Sequence, residues 1–166
     1  FGNENVALYV GRVAPEKNIE SFLDLKFEGK KVVVGDGPSL ASLKAKYKDV
    51  LFTGTKTGVD LAECYSSADV FVFPSLTDTF GIVMLEAMAS GVPIAAFRVT
   101  GPVDVVKEGL TGVLSDDNLG EAVDQALLLD RDVCREQALN FSWAHCAQLF
   151  LENLNKATIT NGQLAA

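Results

Sequence analysis

The sequence has 166 residues, 48% hydrophobic and 22% charged, a length and balance that suit one globular domain with a sizeable core. Fourteen Lys and Arg against 22 Asp and Glu leave a net charge of −8, which argues against nucleic-acid binding, where Lys and Arg must neutralise phosphates. No apolar run approaches the roughly 18 residues a membrane helix needs, no signal-peptide pattern opens the sequence, and Cys64, Cys134 and Cys146 lack the spacing of a disulfide framework or a zinc site.

Strand-like and helix-like segments alternate along the chain. Residues 6–10 read as a first strand, closed by Gly11 and Arg12. A short helix is expected over 18–25 with Asn18 as its N-cap. A strand over 31–34 runs into Gly35-Asp36-Gly37-Pro38, and Pro38 suits the first turn of a helix reaching about residue 48. A strand over 50–53 and a helix over 59–67 follow. Residues 69–73 are β-branched and aromatic without polar alternation, which predicts a strand buried on both faces. A helix over 80–90, a second buried strand over 92–97 and a short strand over 112–114 complete the alternation. Helices over 119–129, 132–140 and 142–155 form a helical tail, and residues 156–166 are expected to fray.

Strands separated by helices predict right-handed βαβ units. The fold class is therefore α/β, a three-layer Rossmann-like domain over residues 1–155 with a parallel sheet, helices on both faces and a helical C-terminal tail. Ligands of such sheets sit beyond the carboxyl ends of the strands. The sequence opens on Phe1, so a piece of a longer polypeptide is expected. Reduced thiols and a cytoplasmic setting follow from the cysteine pattern.

Four loops after strands carry chemistry. In the first, Arg12 and Lys17 flank Pro15; a guanidinium fork and an ammonium converging at a strand end suit a diphosphate, although two solvated charges would read the same way. In the second, Gly35 and Gly37 allow close backbone approach ahead of a helix N-terminus, but position 40 is Leu, which breaks the dinucleotide fingerprint, and there is no P-loop motif. The third holds Asp78 and Glu86. On continuous helix, eight steps would set them ~12 Å apart along the axis and turned by roughly 80°. With Asp78 in the loop before the helix, the two acids instead flank the N–H groups of Phe80, Gly81 and Ile82, an anion site between two sets of hydroxyl acceptors. A sugar nucleotide presents its groups in that order. Glu86 lies in the apolar run 82–89 and is expected to be buried, needing a partner or a ligand. The fourth loop, Thr100-Gly101-Pro102, with Gly109 to Gly112 after it, suits a wall of the cleft, and ordinary turn chemistry explains it equally well.

The segments GRVAPEKN, VVVGDGP, FVFPSLTDTFGIVMLEAMASGVPIAAF and EGLTGVL together resemble the C-terminal half of retaining GT-B glycosyltransferases of family 4, over about residues 6–154. The resemblance implies a donor-binding domain for a nucleotide-diphosphate sugar, UDP- or GDP-hexose. It implies transfer to an unknown acceptor with retention, without metal or cofactor. Arg12, Lys17, Asp78 and Glu86 are the implied catalytic set: the two cations on the diphosphate, Asp78 on the hexose, Glu86 on the ribose. Gly11, Thr79, Phe80, Gly81 and Ile82 would also meet the donor, Gly35 and Gly37 would line the nucleotide cleft, and Gly54, Thr55 and Lys56 would meet the base. The first acid is commonly Glu in that family and is Asp78 here, a methylene shorter, which bears on sugar identity. TDTFGIVMLEAMASGVP is similar to bacterial members that look like mannosyltransferases.

The family's enzymes have two lobes. The acceptor-binding N-terminal lobe is absent from this sequence, so the isolated domain is expected to bind nucleotide without turnover. Any membrane contact would be peripheral and come through that lobe. A nucleotide-sugar epimerase of the same two-lobed scaffold, or a non-catalytic assembly domain, are the competing readings. His145, the lone histidine, reads as a packing or surface residue, and Met84 and Met88 as core packing; Asp130-Arg131-Asp132 reads as a turn, not a metal motif, and Asn140-Phe141-Ser142 as an unused sequon.

Overall fold

The apolar runs of the sequence pair into a single sheet. A computed structural model describes residues 4–163, with side chains to residue 154. Its strands are β1 (Val6–Val10), β2 (Lys30–Val34), β3 (Leu51–Gly54), β4 (Val70–Phe73), β5 (Ile94–Phe97) and β6 (Gly112–Ser115). All pair parallel in the order β3-β2-β1-β4-β5-β6. The helices are α1 (Glu20–Leu23), α2 (Leu40–Lys46), α3 (Gly58–Ser66), α4 (Ile82–Ala89), α5 (Pro102–Val105), α6 (Leu119–Ala126), α7 (Arg131–Ala138) and α8 (Trp143–Gln163).

Alternate strand residues point to opposite faces, and each face has its own core. Val6, Leu8, Val10, Phe71 and Phe73 pack with Tyr65 of α3 and with Met84 and Met88 of α4. Ala7, Tyr9, Val70 and Val72 pack on the other face with Phe22 and Leu23 of α1, Leu43 of α2 and Val123 of α6. Each fully buried Leu, Phe or Met contributes about 1.5–3 kcal/mol relative to exposure, so this three-layer arrangement rests mainly on apolar burial. Burial on both faces also explains why β4 lacks polar alternation.

Some local expectations are corrected. Asn18 is not the N-cap of a helix. It closes a 3₁₀ turn, Pro15–Lys17, in the left-handed conformation at φ 50°, a region asparagine tolerates better than most residues. Its side chain spans two loops: Nδ2 donates to the Pro74 carbonyl at 3.0 Å, and Oδ1 accepts from Ser21 at 2.9 Å. Pro38 precedes α2 instead of lying in its first turn. Helix α5 was not expected. Helix α8 continues to Gln163, past the end expected at residue 155; residues 164–166 of the expected frayed segment lie outside the described residues.

From β1 the chain moves to β2 and β3 on one side, then returns to place β4 on the other. The order in which strands are added therefore reverses between β1 and β4, and the loops leaving these two strands diverge around a crevice. Those loops are residues 11–19 and 74–81.

Candidate functional site

The loop after β1 takes its shape from the loop after β2. The Gly11 N–H donates to Val34 O at 3.0 Å, Val13 N–H to Asp36 O at 2.9 Å, and Ser39 N–H back to Val13 O at 3.1 Å, so the ladder continues past the strand ends. A Cβ on Gly35 would stand 1.9 Å from Gly11 O, and one on Gly37 would stand 2.3 Å from Val13 O. Both glycines are present because backbone meets backbone there. Gly37 consequently supports the loop and does not line the crevice, contrary to expectation.

At the switch point lies a hollow of about 500 Å³, walled by Gly11, Arg12, Lys17, Asp78, Gly81 and Ile82, and also by Tyr9, Glu16, Phe73, Ser75 and Val83. A second hollow of about 270 Å³ shares Val10, Gly11 and Arg12 with it and extends to Gly35, Thr55 and Lys56. The two form one crevice across the carboxyl ends of the sheet, from the start of α4 to the exit of β3. Gly54 and the exposed Thr79 and Phe80 are next to this wall and not on it; the Gly54 carbonyl accepts from Gly35 N–H at 3.0 Å. A larger open hollow of about 750 Å³ between α1 and α6 is edged by Asp24, Asp117, Glu121 and Asp124. It contains none of the switch-point loops, and among the described residues no group of three His, Cys, Asp or Glu is arranged to hold a metal.

The charges in the crevice are already paired. Lys17 Nζ donates to Asp78 Oδ1 at 2.5 Å, with both side chains about a quarter exposed, 26% and 24%. Arg12 Nη1 meets Glu16 Oε1 at 3.0 Å one turn away, and this exposed pair contributes ~0.2–1 kcal/mol, too little to hold the guanidinium in one place. Tyr9, buried beneath them, donates its hydroxyl to Arg12 O at 2.8 Å. Burial above all, then the charges of Asp78 and Glu16, push its pKa well above the ordinary phenol value, so it remains a donor that fixes the Arg12 backbone.

Helix α4 opens toward the hollow. Gly81, at φ 76°, is its N-cap, and a Cβ there would meet Met84 Cε at 2.8 Å and Phe73 Cζ at 3.0 Å. Among the described residues no acceptor meets the N–H groups of Phe80, Gly81, Ile82 or Val83. Asp78 lies in the loop ahead of them, the placement that lets acid and helix start face one space. Behind this loop sits Gly101, whose Cβ would come 2.7 Å from Asp78 O. The loop after β5 thus supports the Asp78 loop from behind instead of walling the cleft.

Glu86 differs from expectation. It is exposed, not buried, and lies one turn along α4 from Ile82 and Val83, outside both hollows. Its Oε2 accepts from the hydroxyl of Tyr65 at 2.7 Å. Tyr65 is 2% exposed, and burial followed by the Glu86 hydrogen bond pushes its pKa far up. The apolar run around Glu86 did not reveal its exposure, because residues 82–89 bury one face of α4 and leave the other to solvent.

A doubly wound parallel sheet whose cations, glycines and open helix end converge at the switch point defines the class: a Rossmann-like domain with a crevice at the carboxyl ends of its strands. The chain belongs to the glycosyl transferases group 1 family, which it matches over residues 1–141. It is 40% identical over 117 residues to a GDP-mannose-dependent alpha-mannosyltransferase of Corynebacterium glutamicum, across 69% of this chain and 28% of that protein. Among solved structures it is similar to the sucrose-phosphate synthase of Thermosynechococcus elongatus, at 26% identity and a TM-score of 0.76, over 95% of this chain and 46% of the other. It also shares its fold with HepE of Anabaena, crystallised in complex with UDP, at 20% identity and a TM-score of 0.73, over 93% of this chain and 49% of the other. The chain thus spans less than a third of the mannosyltransferase and about half of each solved chain.

Proposed function

We propose that the switch-point crevice is the donor site of a retaining glycosyltransferase, which holds a UDP- or GDP-hexose and passes the hexose to an acceptor bound by another part of the same polypeptide. The carrying observation is that Arg12, Lys17, Asp78 and the open start of α4 meet in one hollow. The diphosphate would lie against Arg12, Lys17 and the free N–H groups of Ile82 and Val83. The hexose would take the Asp78 end. The nucleoside would run toward Gly35, Thr55 and Lys56, and Glu86, exposed on α4 outside the two hollows, would meet the ribose where the nucleotide emerges from them. The name of the Corynebacterium relative supports a GDP-linked donor, and the Anabaena complex supports UDP in the same fold.

In this reading catalysis is electrostatic. As the bond between sugar and diphosphate breaks, negative charge gathers on the departing phosphate. A preorganised donor aimed at such charge lowers a barrier by roughly 3–4 kcal/mol. Asp78 holds Lys17 at the hollow, and the Tyr9 bond fixes the backbone of Arg12, whose exposed guanidinium is free to turn from Glu16 to the phosphate. Because the chain's own cations and helix end meet the phosphate charge, donor binding should need no divalent metal. The domain alone should bind donor without transferring it, in a cytoplasmic setting.

Calorimetric titration of the chain with UDP-, GDP- and ADP-hexoses, with and without chelator, tests this. One nucleotide sugar binding with micromolar to millimolar affinity in both conditions is expected. Absence of heat with all of them would refute the reading.

A further inference from the structure

Ser75 follows β4 by two positions and is 2% exposed. Among the described residues its Oγ is the buried side-chain polar atom that meets no hydrogen-bond partner. The other buried polar side chain, Thr111, accepts from Lys107 N–H at 2.8 Å. A buried hydroxyl without a partner destabilises a fold, and native structures rarely keep one without a use. Ser75 belongs to the wall of the 500 Å³ hollow, which the Lys17–Asp78 pair and the first residues of α4 also line.

The hollow is lined by donors, Lys17, Arg12 and the free N–H groups of Ile82 and Val83, beside the carboxylates of Asp78 and Glu16 that hold the two cations until an anion competes for them. A ligand that satisfies them all carries several acceptor oxygens close together, and a phosphate is such a group. We infer that Ser75 is a further donor-site residue, whose hydroxyl, sealed from the hollow without ligand, turns about its Cα–Cβ bond to donate a hydrogen bond to the distal phosphate of a bound nucleoside diphosphate. This rests on the donor-site reading above and adds to it a residue outside the cation and acid pairs. The position also accounts for the missing partner, since the acceptor arrives with the ligand.

The test is Ser75→Ala, titrated beside the unsubstituted chain with UDP or GDP, whichever binds, and with the matching monophosphate, together with thermal unfolding of both proteins without nucleotide. Expected are about a tenfold loss of diphosphate affinity, less than about a twofold change for the monophosphate, and an unfolding midpoint in the variant that is equal or higher. Unchanged diphosphate affinity would overturn the inference. So would an equal loss with both nucleotides, which would place the hydroxyl at the nucleoside end, or a variant destabilised without ligand, which would make it a fold residue. If the unsubstituted chain binds neither nucleotide, the donor-site reading itself fails and takes this inference with it; binding by the unsubstituted chain separates the two failures.

Discussion

Lys17 and Asp78, 61 positions apart in sequence, stand 2.5 Å apart in space and close the loop after β1 onto the loop after β4. Each has been assigned to a different part of the donor, the cation to diphosphate and the acid to hexose, yet here each holds the other. Their substitutions should therefore have opposite effects on the diphosphate. Lys17→Ala removes a charge-assisted contact and should weaken nucleoside diphosphate binding by tenfold or more, or about 1.5–3 kcal/mol. Asp78→Asn releases Lys17 and removes a negative charge, so calorimetry should show equal or tighter diphosphate binding. The same change in the two-lobed enzyme should depress sugar transfer.

The Tyr65–Glu86 bond gives a second contrast. Tyr65→Phe keeps the ring against Phe71, whose centroid is 5.9 Å away, and removes the donor to Glu86. The folded state should lose about 1 kcal/mol in denaturant titration. Nucleoside diphosphate affinity should fall about three- to tenfold as the carboxylate loses its fixed orientation, and Glu86→Ala should fall further. Equal affinity in both folded variants would remove Glu86 from the ribose role.

Gly35 tests the loop-on-loop packing. An alanine there would put Cβ 1.9 Å from the Gly11 carbonyl, and backbone on both sides leaves nowhere for it to move. Gly35→Ala should cost about 3 kcal/mol or more and lower the unfolding midpoint by roughly 10 °C. Gly54→Ala is the control, since no atom lies within 4 Å of its Cβ and strain arises only from φ at +76°. That strain costs about 1–2 kcal/mol, so the control should lose clearly less.

Alkaline pH should reveal Cys134. Burial first, then Asp130, pushes its thiol from 9.0 up to about 11. The unfolded chain therefore loses this proton near pH 9 while the folded chain keeps it. The thiol's contribution is complete below pH 9 and is lost as pH rises toward 11. Cys134→Ala should be less stable than the unsubstituted protein at pH 8, by an amount that shrinks steadily between pH 9 and 11. Denaturant titrations across that range measure the difference.

The sheet was legible because uninterrupted runs such as Val70–Phe73 have no polar face to present, and only a strand covered on both sides tolerates that. The placement of Asp78 ahead of α4 was legible as one of two alternatives, since a helix expected from residue 80 already left it in the loop; α4 in fact begins two residues later, at Ile82. Pairings across long sequence separations were not. Lys17 with Asp78, Tyr65 with Glu86 and Asn18 with Pro74 arise only once β4 lies beside β1, and no local spacing encodes that. Asn18 looked like a cap because asparagine serves both caps and left-handed turns. The glycines after β2 suggested a ligand, but Gly37 is there for the Val13 carbonyl. Ser75 had no signal at all, since one serine after a strand is ordinary until its surroundings are known.

The most direct test of the account is the backbone amide spectrum of the chain, recorded while a nucleoside diphosphate is added. The largest shifts should fall on Gly11, Arg12, Lys17 and Phe80 to Val83, with a smaller set at Gly35 and Thr55 to Lys56. Shifts centred elsewhere, such as the acidic hollow between α1 and α6, or no shifts at millimolar nucleotide, would contradict it.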